Sequence, residues 1–308
     1  MTIFSRPVLV ILCPLFNEEA VVPLFIARCR PVLDALADRY CVRLTFLNNA
    51  STDRTIEQVL EVRAQWPETY LITMSRNVGY QASLQCGLLN SDADLFVIID
   101  VDCEDPPEMI SAFIAKHEEG FDIVYGERID RPEPPAIKAA RKLFYRILQR
   151  IADDEIILDM AEFSLFTREV RDAIMHENTS FPFLRASIGR VGFRRAAIPF
   201  TRQTRIAGTS HYNLWGMSIF AIAGLLSAST LLLRLPIFIF PLWILALAIL
   251  GSLYVTTQSP WFALSAFLVL AFYLGASQAF TALYVARAYK NGLQRPNAFI
   301  DRKNSILI

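Results

Sequence analysis

The sequence predicts an α/β domain with a mainly parallel sheet, then interfacial helices, then a C-terminal transmembrane helical hairpin. Three observations carry this reading. Short apolar strand patterns alternate with helical ones from residue 7 to residue 210. Between Tyr212 and Ala286 the only charged residue is Arg234. Within that region the uncharged stretches 235–255 and 261–286 are each long enough to cross a bilayer.

The elements follow in order. Residues 8–13 read as a short apolar strand. Residues 18–40 place Val22, Phe25, Ile26, Cys29 and Leu33 at helical spacing. Residues 42–47 alternate as a strand, and residues 55–66 form a helix stopped by Pro67. A strand at 70–74 and a helix at 81–90 come next. Residues 95–100 are an apolar strand ending in an acid, and residues 107–118 a helix with proline at its start. Residues 123–125 close the series as a further strand. In such sheets ligands bind beyond the carboxyl ends of the strands, so the polar residues there are the candidates.

Residues 235–255 span about 31 Å as a helix. The uncharged turn 256–260 joins them to the second span, so both flanks lie on one side. Arg287, Lys290, Arg295, Arg302 and Lys303 follow, which puts both flanks in the cytoplasm and the hairpin in the cytoplasmic (inner) membrane. Residues 213–233 are apolar but rich in small residues, and read either as interfacial helices or as a third span. The interface is favoured, because a third span would separate the flanks. The expected organisation is a catalytic domain at 1–211, juxtamembrane helices at 212–234, two spans at 235–286 and a basic cytoplasmic tail at 287–308. Gly275, Ala276 and Ser277 in the second span offer close packing, which leaves self-association as a candidate.

Composition excludes several classes. With 54% hydrophobic and 19% charged residues the chain is not disordered. Lys+Arg and Asp+Glu are 30 each, so there is no electrostatic footprint for nucleic acid. Basic charge is local instead. Lys138, Arg141, Lys142, Arg146 and Arg150 meet no acid within residues 138–150, and the apolar residues between them have helical spacing. That describes either a basic amphipathic helix on the inner leaflet or a core-packed helix with a solvated face. Five cysteines without a CxxC pair read as reduced cytosolic thiols. The absence of GxGxxG and of GxxxxGK[ST] argues against a dinucleotide oxidoreductase and a P-loop ATPase.

The strand ends carry Pro14, Phe16, Asn17, Glu18 and Glu19 after the first strand, and Asn48, Asn49, Ser51 and Asp53 after the second. Ser75, Arg76, Asn77 and Gly79 follow the third, and Asp100, Asp102, Glu104, Asp105 and Glu108 the fourth. Two carboxylates one residue apart at a strand mouth can share a hard cation, Mg2+ or Mn2+, with Glu104 as a third oxygen donor. A solvated acidic turn is the plainer reading. The apolar strand before it and Pro106 and Pro107 after it favour the metal.

With these residues in hand, the sequence resembles the family 2 glycosyltransferases of GT-A (Rossmann-like) fold. It is most similar to the polyprenyl-phosphate glycosyltransferases, the group of the dolichol-phosphate mannose synthases and GtrB-type enzymes. Residues 14–19 match P-x-[YF]-N-E-E, residues 51–55 S-x-D-x-T, and residues 75–79 S-R-N-F-G, with Gln81 and Ala82 following. Residues 100–108 match D-x-D-L-Q-D-P-P-E, residues 125–131 Y-G-x-R-x-x-R, and residues 205–212 R-x-A-G-x-S-K-Y. Each motif is weak alone; their order, spacing and trailing hairpin are specific.

The resemblance implies inverting transfer of a sugar from a nucleotide-sugar donor to a polyprenyl phosphate at the cytoplasmic membrane face, among membrane lipids. It implies that Pro14, Phe16, Glu18, Asn48, Asn49, Asp53, Arg76 and Asp100 bind the donor. Asp100, Asp102 and Glu104 would hold the metal. Arg128, Arg131, Arg202 and Arg205 would face the diphosphate or the lipid phosphate, with Glu162 and Asp102 as the catalytic pair. Asn48, Asn49 and Ala50 stand where relatives carry Asp-Asp-Gly, and Glu162 where they carry Asp in G-D-F-R-L. Tyr80 replaces a common Lys or His, and His211 a Lys. These departures support a second reading, a catalytically impaired relative acting as a membrane scaffold or regulator. A polysaccharide synthase would need more spans and a Q-x-x-R-W motif, which residues 203–206 do not supply.

Overall fold

The computed structural model describes residues 6–129, 157, 160–177, 179–180, 182–207 and 229–307. Arg131, the basic segment 138–150 and most of the juxtamembrane segment lie outside these residues.

Among the described residues seven strands form one sheet. They are β1 (Val8–Leu15), β2 (Cys41–Asn48), β3 (Thr69–Thr73), β4 (Leu95–Ile98), β5 (Ile123–Arg128), β6 (Met160–Thr167) and β7 (Arg195–Phe200). Their order is β3-β2-β1-β4-β6-β5-β7. The first four run parallel. β6 enters antiparallel between β4 and β5, and β7 lies parallel to β5. The order reverses between β1 and β4, the switch point where open α/β sheets bind ligands.

The apolar run of β1 is explained by burial on both faces. Leu9, Ile11 and Cys13 point to one core with Phe25, Cys29 and Leu33 of α1 (Val22–Asp34) and Phe113 of α4 (Met109–Glu118). Val10 and Leu12 point to the other core with Leu84 of α3 (Tyr80–Leu89), Val170 of α5 (Arg168–Met175) and Ile188 of α6 (Leu184–Val191). Helix α2 (Thr55–Gln65) packs Val59 on the first core.

The first helix starts at Val22, later than its apolar spacing suggests, because residues 16–21 form a turn in which Asn17 is left-handed, with Pro23 just inside the helix. β6, α5, α6 and β7 are elements that the alternation did not define. β6 is a central strand buried on both faces, whose short MAEFSLFT run reads equally as helix or strand.

Two helices are long and apolar enough to cross a membrane, α7 (Leu231–Thr257) and α8 (Pro260–Gly292). Their apolar side chains face outward rather than into the protein. They run antiparallel, as three pairs show: Trp243 stacks on Tyr273 at 4.3 Å, the Tyr273 hydroxyl donates to the Pro236 carbonyl, and the Tyr284 hydroxyl donates to the Ser229 carbonyl. α7 begins earlier than residue 235 and takes Arg234 into its first turn, while α8 continues past Ala286 through Arg287 and Lys290. At 33 residues α8 is about 50 Å long, more than a hydrocarbon core of about 30 Å requires.

Beyond α8 the chain returns to the sheet. Leu71 and Ile306 exchange backbone hydrogen bonds of 3.0 and 2.7 Å, the Ser75 N–H donates to the Phe299 carbonyl at 2.8 Å, and the Asp301 N–H to the Thr73 carbonyl at 2.8 Å. The tail thus pairs antiparallel along the free edge of β3.

Helix α3 sits on β2 at Gly87, where an added Cβ would come within 2.6 and 2.7 Å of the Leu47 methyl carbons. Leu47 is fully buried, so its methyls must shift against packed neighbours. Gly87→Ala gains about 1 kcal/mol of helix propensity but overpacks the core by about 1–3 kcal/mol. We expect a net loss of up to about 2 kcal/mol, read as a lowered Tm of the full chain in detergent.

Candidate active site

The loops after β1, β2 and β4 each hold one non-glycine residue in the left-handed region: Asn17 at φ 56°, Ala50 at φ 60° and Cys103 at φ 55°. Such a conformation costs an L-residue about 1–2 kcal/mol and persists only where neighbours enforce it. Here the first two loops are stitched together. The Asn17 N–H donates to Ser51 Oγ at 3.0 Å, and Asn17 Oδ1 accepts from the Thr52 N–H at 2.8 Å. The Glu18 N–H donates to Thr55 Oγ1 at 2.8 Å, the Glu19 N–H to Asp53 Oδ2 at 3.2 Å, and the Arg54 N–H to Glu19 Oε2 at 2.9 Å.

This network absorbs several residues expected to read the donor. Asp53 caps the start of α2 through the Thr55 N–H. Asn48 accepts from the Ser51 N–H at 3.0 Å and donates to Thr73 Oγ1 at 3.4 Å. Asn49 donates to Asn77 at 2.9 Å and accepts from the Val78 N–H at 2.8 Å. Their amides shape the loops. Pro14 lies in β1 opposite Leu47, Phe16 is half-buried just beyond it, and Arg76 is exposed past the end of β3.

The acidic mouth lies beyond β4. Asp102 is buried, accepts from the Glu104 N–H at 3.1 Å through Oδ1, and meets Arg205 at 3.3 Å through Oδ2. Arg205 also pairs with Glu18, and Arg202 pairs with Glu104. The backbone joins the same contact: the Gln203 N–H donates to the Glu104 carbonyl at 2.8 Å and the Ile206 N–H to the Asp102 carbonyl at 3.1 Å. Arg128 meets the buried carboxylate of Asp105 at 3.0 Å. Arg128, Arg202 and Arg205 therefore reach the mouth, each on an acid.

Glu162 arrives from the other side. Ile98 of β4 pairs with Ser164 of β6, so the antiparallel register carried two residues further sets Asp100 opposite Glu162. Glu162 is buried; Oε1 accepts from Gln81 Nε2 at 3.0 Å and pairs with Arg185 Nε at 2.9 Å. Oε2 is buried with no hydrogen-bond partner among the described residues. Gln81 also accepts the Leu184 N–H at 3.0 Å, tying the carboxylate to the start of α6. The Tyr80 hydroxyl donates to Asp100 Oδ1 at 2.7 Å, and burial with Asp100 and Glu162 nearby holds its phenol well above the usual range. Gln81 and Arg185 were not among the expected site residues, and Asp105 was a strand-end candidate without an expected role. Gln81 and Asp105 stand inside matched motifs; Arg185 had no sequence signal.

Asp100 and Asp102 supply hard oxygen donors of the kind Mg2+ and Mn2+ take when diphosphate and water complete the shell. Among the described residues no group of three His, Cys, Asp or Glu side chains is arranged to hold a metal ion, and Glu104 faces Arg202. The pair fits a cation carried in with a phosphate ligand.

The crowding has a measurable consequence. Desolvation, then Asp102 and Asp105, pushes the Asp100 carboxyl up to about 7, against the Tyr80 hydrogen bond and Arg128. An unfolded aspartate titrates near 3.9, about 3 units lower. Between these values the folded chain holds the extra proton, so Asp100 makes stability fall as pH rises from about 4 to about 7. In chelator at pH 8, Asp100→Asn should be more stable than the parent by on the order of 1–3 kcal/mol, solvent screening allowed for, with the two converging near pH 4. Thermal unfolding at both pH values reads this.

Residues 10–175 match the family model for glycosyl transferase family 2. The chain is 34% identical over 220 residues to the uncharacterized glycosyltransferase YkcC of Bacillus subtilis (strain 168), covering 71% of this chain and 68% of that one. It is 30% identical over 223 residues to the prophage bactoprenol glucosyl transferase homolog of Escherichia coli (strain K12), covering 72% of each. In structure it is similar to glucosyl-3-phosphoglycerate synthase from Mycobacterium tuberculosis, solved in complex with Mn2+, UDP and phosphoglyceric acid. The TM-score is 0.51 and identity 20%, over 72% of this chain and 78% of that one, a likeness of fold.

Proposed function

The chain belongs to glycosyl transferase family 2, and we propose that it transfers a sugar from a nucleotide-sugar donor to a polyprenyl phosphate, with inversion, at the cytoplasmic face of the inner membrane. The observation that carries this reading is the join between two bilayer-length helices and an acidic, arginine-lined sheet mouth. Asn291, in the last turn of α8, accepts from the Ser180 N–H at 2.9 Å, so the end of the hairpin is bonded to the domain that holds the site. The relatives named as bactoprenol glucosyl transferases support the acceptor class.

A phosphate monoester is already ionised at neutral pH. Its oxygen needs aim and charge relief more than deprotonation. Glu162, held by Gln81 and Arg185, would orient the attacking side. Arg128, Arg202 and Arg205 would trade their carboxylate partners for phosphate oxygens, a bidentate match that guanidinium makes well. Mg2+ or Mn2+, held by Asp100 and Asp102, would supply charge stabilisation of the leaving diphosphate.

Asp102→Asn should lower transfer by about 100-fold or more and abolish Mn2+ binding, with Tm changed by only a few degrees. Near-normal transfer in metal-limited buffer would overturn the assignment. A panel of radiolabelled sugar nucleotides with undecaprenyl phosphate tests the reaction itself.

The flanks carry Arg287, Lys290, Arg295, Arg302 and Lys303, while the turn at Gln258 and Ser259 is uncharged. In intact cells a membrane-impermeant maleimide should label Gln258→Cys, and should label Lys303→Cys only after permeabilisation. The reverse pattern would invert the topology.

A further inference from the structure

We propose that the C-terminal tail is a positioning element of the donor site, acting through Thr73 on Asn48. This rests on the reading of the loops after β2 and β3 as the donor side. Thr73 is the last residue of β3 and is buried. Its hydroxyl donates to the Asn304 carbonyl at 2.6 Å and accepts from Asn48 Nδ2 at 3.4 Å. Its N–H donates to Ser305 Oγ at 2.9 Å. The other end of the Asn48 amide holds the Ser51 N–H at 3.0 Å, inside the loop that bonds to the loop of Asn17. Tail, β3 hydroxyl, β2 amide and loop backbone therefore form one chain of hydrogen bonds.

The tail itself is held firmly. Ser305 Oγ donates to the Asp301 carbonyl at 2.6 Å, and Asp301 accepts from the Asn304 amide at 2.8 Å and the Lys303 N–H at 3.1 Å. Upstream, Asn297 Nδ2 donates to Gln85 Oε1 at 2.6 Å and to the Thr179 carbonyl at 2.8 Å. The segment leaving the hairpin is thus fastened to α3 before it reaches β3. Asn48 is fully buried, so without the Thr73 hydroxyl its Nδ2 has no water to turn to. The cheapest relief is movement of the loop it anchors.

Thr73→Val removes the hydroxyl and keeps the shape; Thr73→Ser keeps the hydroxyl. Both are made in the full chain in detergent. Hydrogen exchange of the peptide spanning residues 48–55 is read with no substrate present, and KM is read for donor and for undecaprenyl phosphate. T73V should speed exchange of that peptide and raise the donor KM about 3- to 10-fold, with the acceptor KM within about two-fold; T73S should match the parent. If T73V does not fold, Ser305→Ala, which takes away the acceptor for the Thr73 N–H and the donor to the Asp301 carbonyl but leaves the Thr73 hydroxyl in place, is expected to give the same pattern at smaller size. Parental exchange at residues 48–55, or equal rises in both KM values, overturns the proposal. If the parent itself transfers no sugar, the reaction reading fails, while the exchange data still decide the role of the tail.

Discussion

The antiparallel insertion of β6 between β4 and β5 sets the geometry on which the site depends. In a wholly parallel sheet every strand would bring its carboxyl end to the mouth. Here one strand brings its amino end instead, and with it Glu162. The pairing of Ile98 with Ser164 brings that carboxylate to the mouth beyond β4, and a slip of one residue would turn it to the opposite face. The burial of all but the last residue of β6 makes such a slip costly, since Phe163 and Phe166 fill opposite cores.

Around this pairing charge is divided along the chain. The acids of the mouth come mainly from the two strand ends at the switch point, Glu18 after β1 and Asp102, Glu104 and Asp105 after β4. The arginines come later, at Arg128, Arg185, Arg202 and Arg205. Buried charges left alone cost several kcal/mol each, while paired ones come near to balance. The pairing explains how so many carboxylates stay close to one another, and why Asp100, whose hydrogen bond comes from a neutral phenol, is the one pushed up to about 7.

Much of this was legible in the sequence. The doubly buried strands β1 and β4, the helix spacing of Val22 to Leu33 and the uncharged spans are local patterns with local causes. So were the acids at the strand ends, because a polar residue after an apolar run has few other places to go. Three things were not legible. The strand at residues 160–167 alternates only over Ala161 to Leu165 and is buried on both faces, so its direction and place in the sheet come only from tertiary pairing. The roles of Asn48 and Asn49 depend on which partners fill their amides, and those partners, Thr73 and Asn77, lie more than twenty residues away. The docking of residues 299–306 on β3 follows from an open sheet edge, a property of the assembled sheet rather than of the tail's own residues.

The tail's place on β3 also orders events during synthesis. A chain made from its amino end has β1 to β7 complete long before residues 299–306 leave the ribosome. Those residues emerge only after both long apolar helices. Until then the β3 edge stays open and Thr73 lacks three of its partners, Asp301, Asn304 and Ser305. The last stitch in the catalytic domain is therefore made after the hairpin, and a chain cut short within the membrane segment would carry a domain with an unfinished edge.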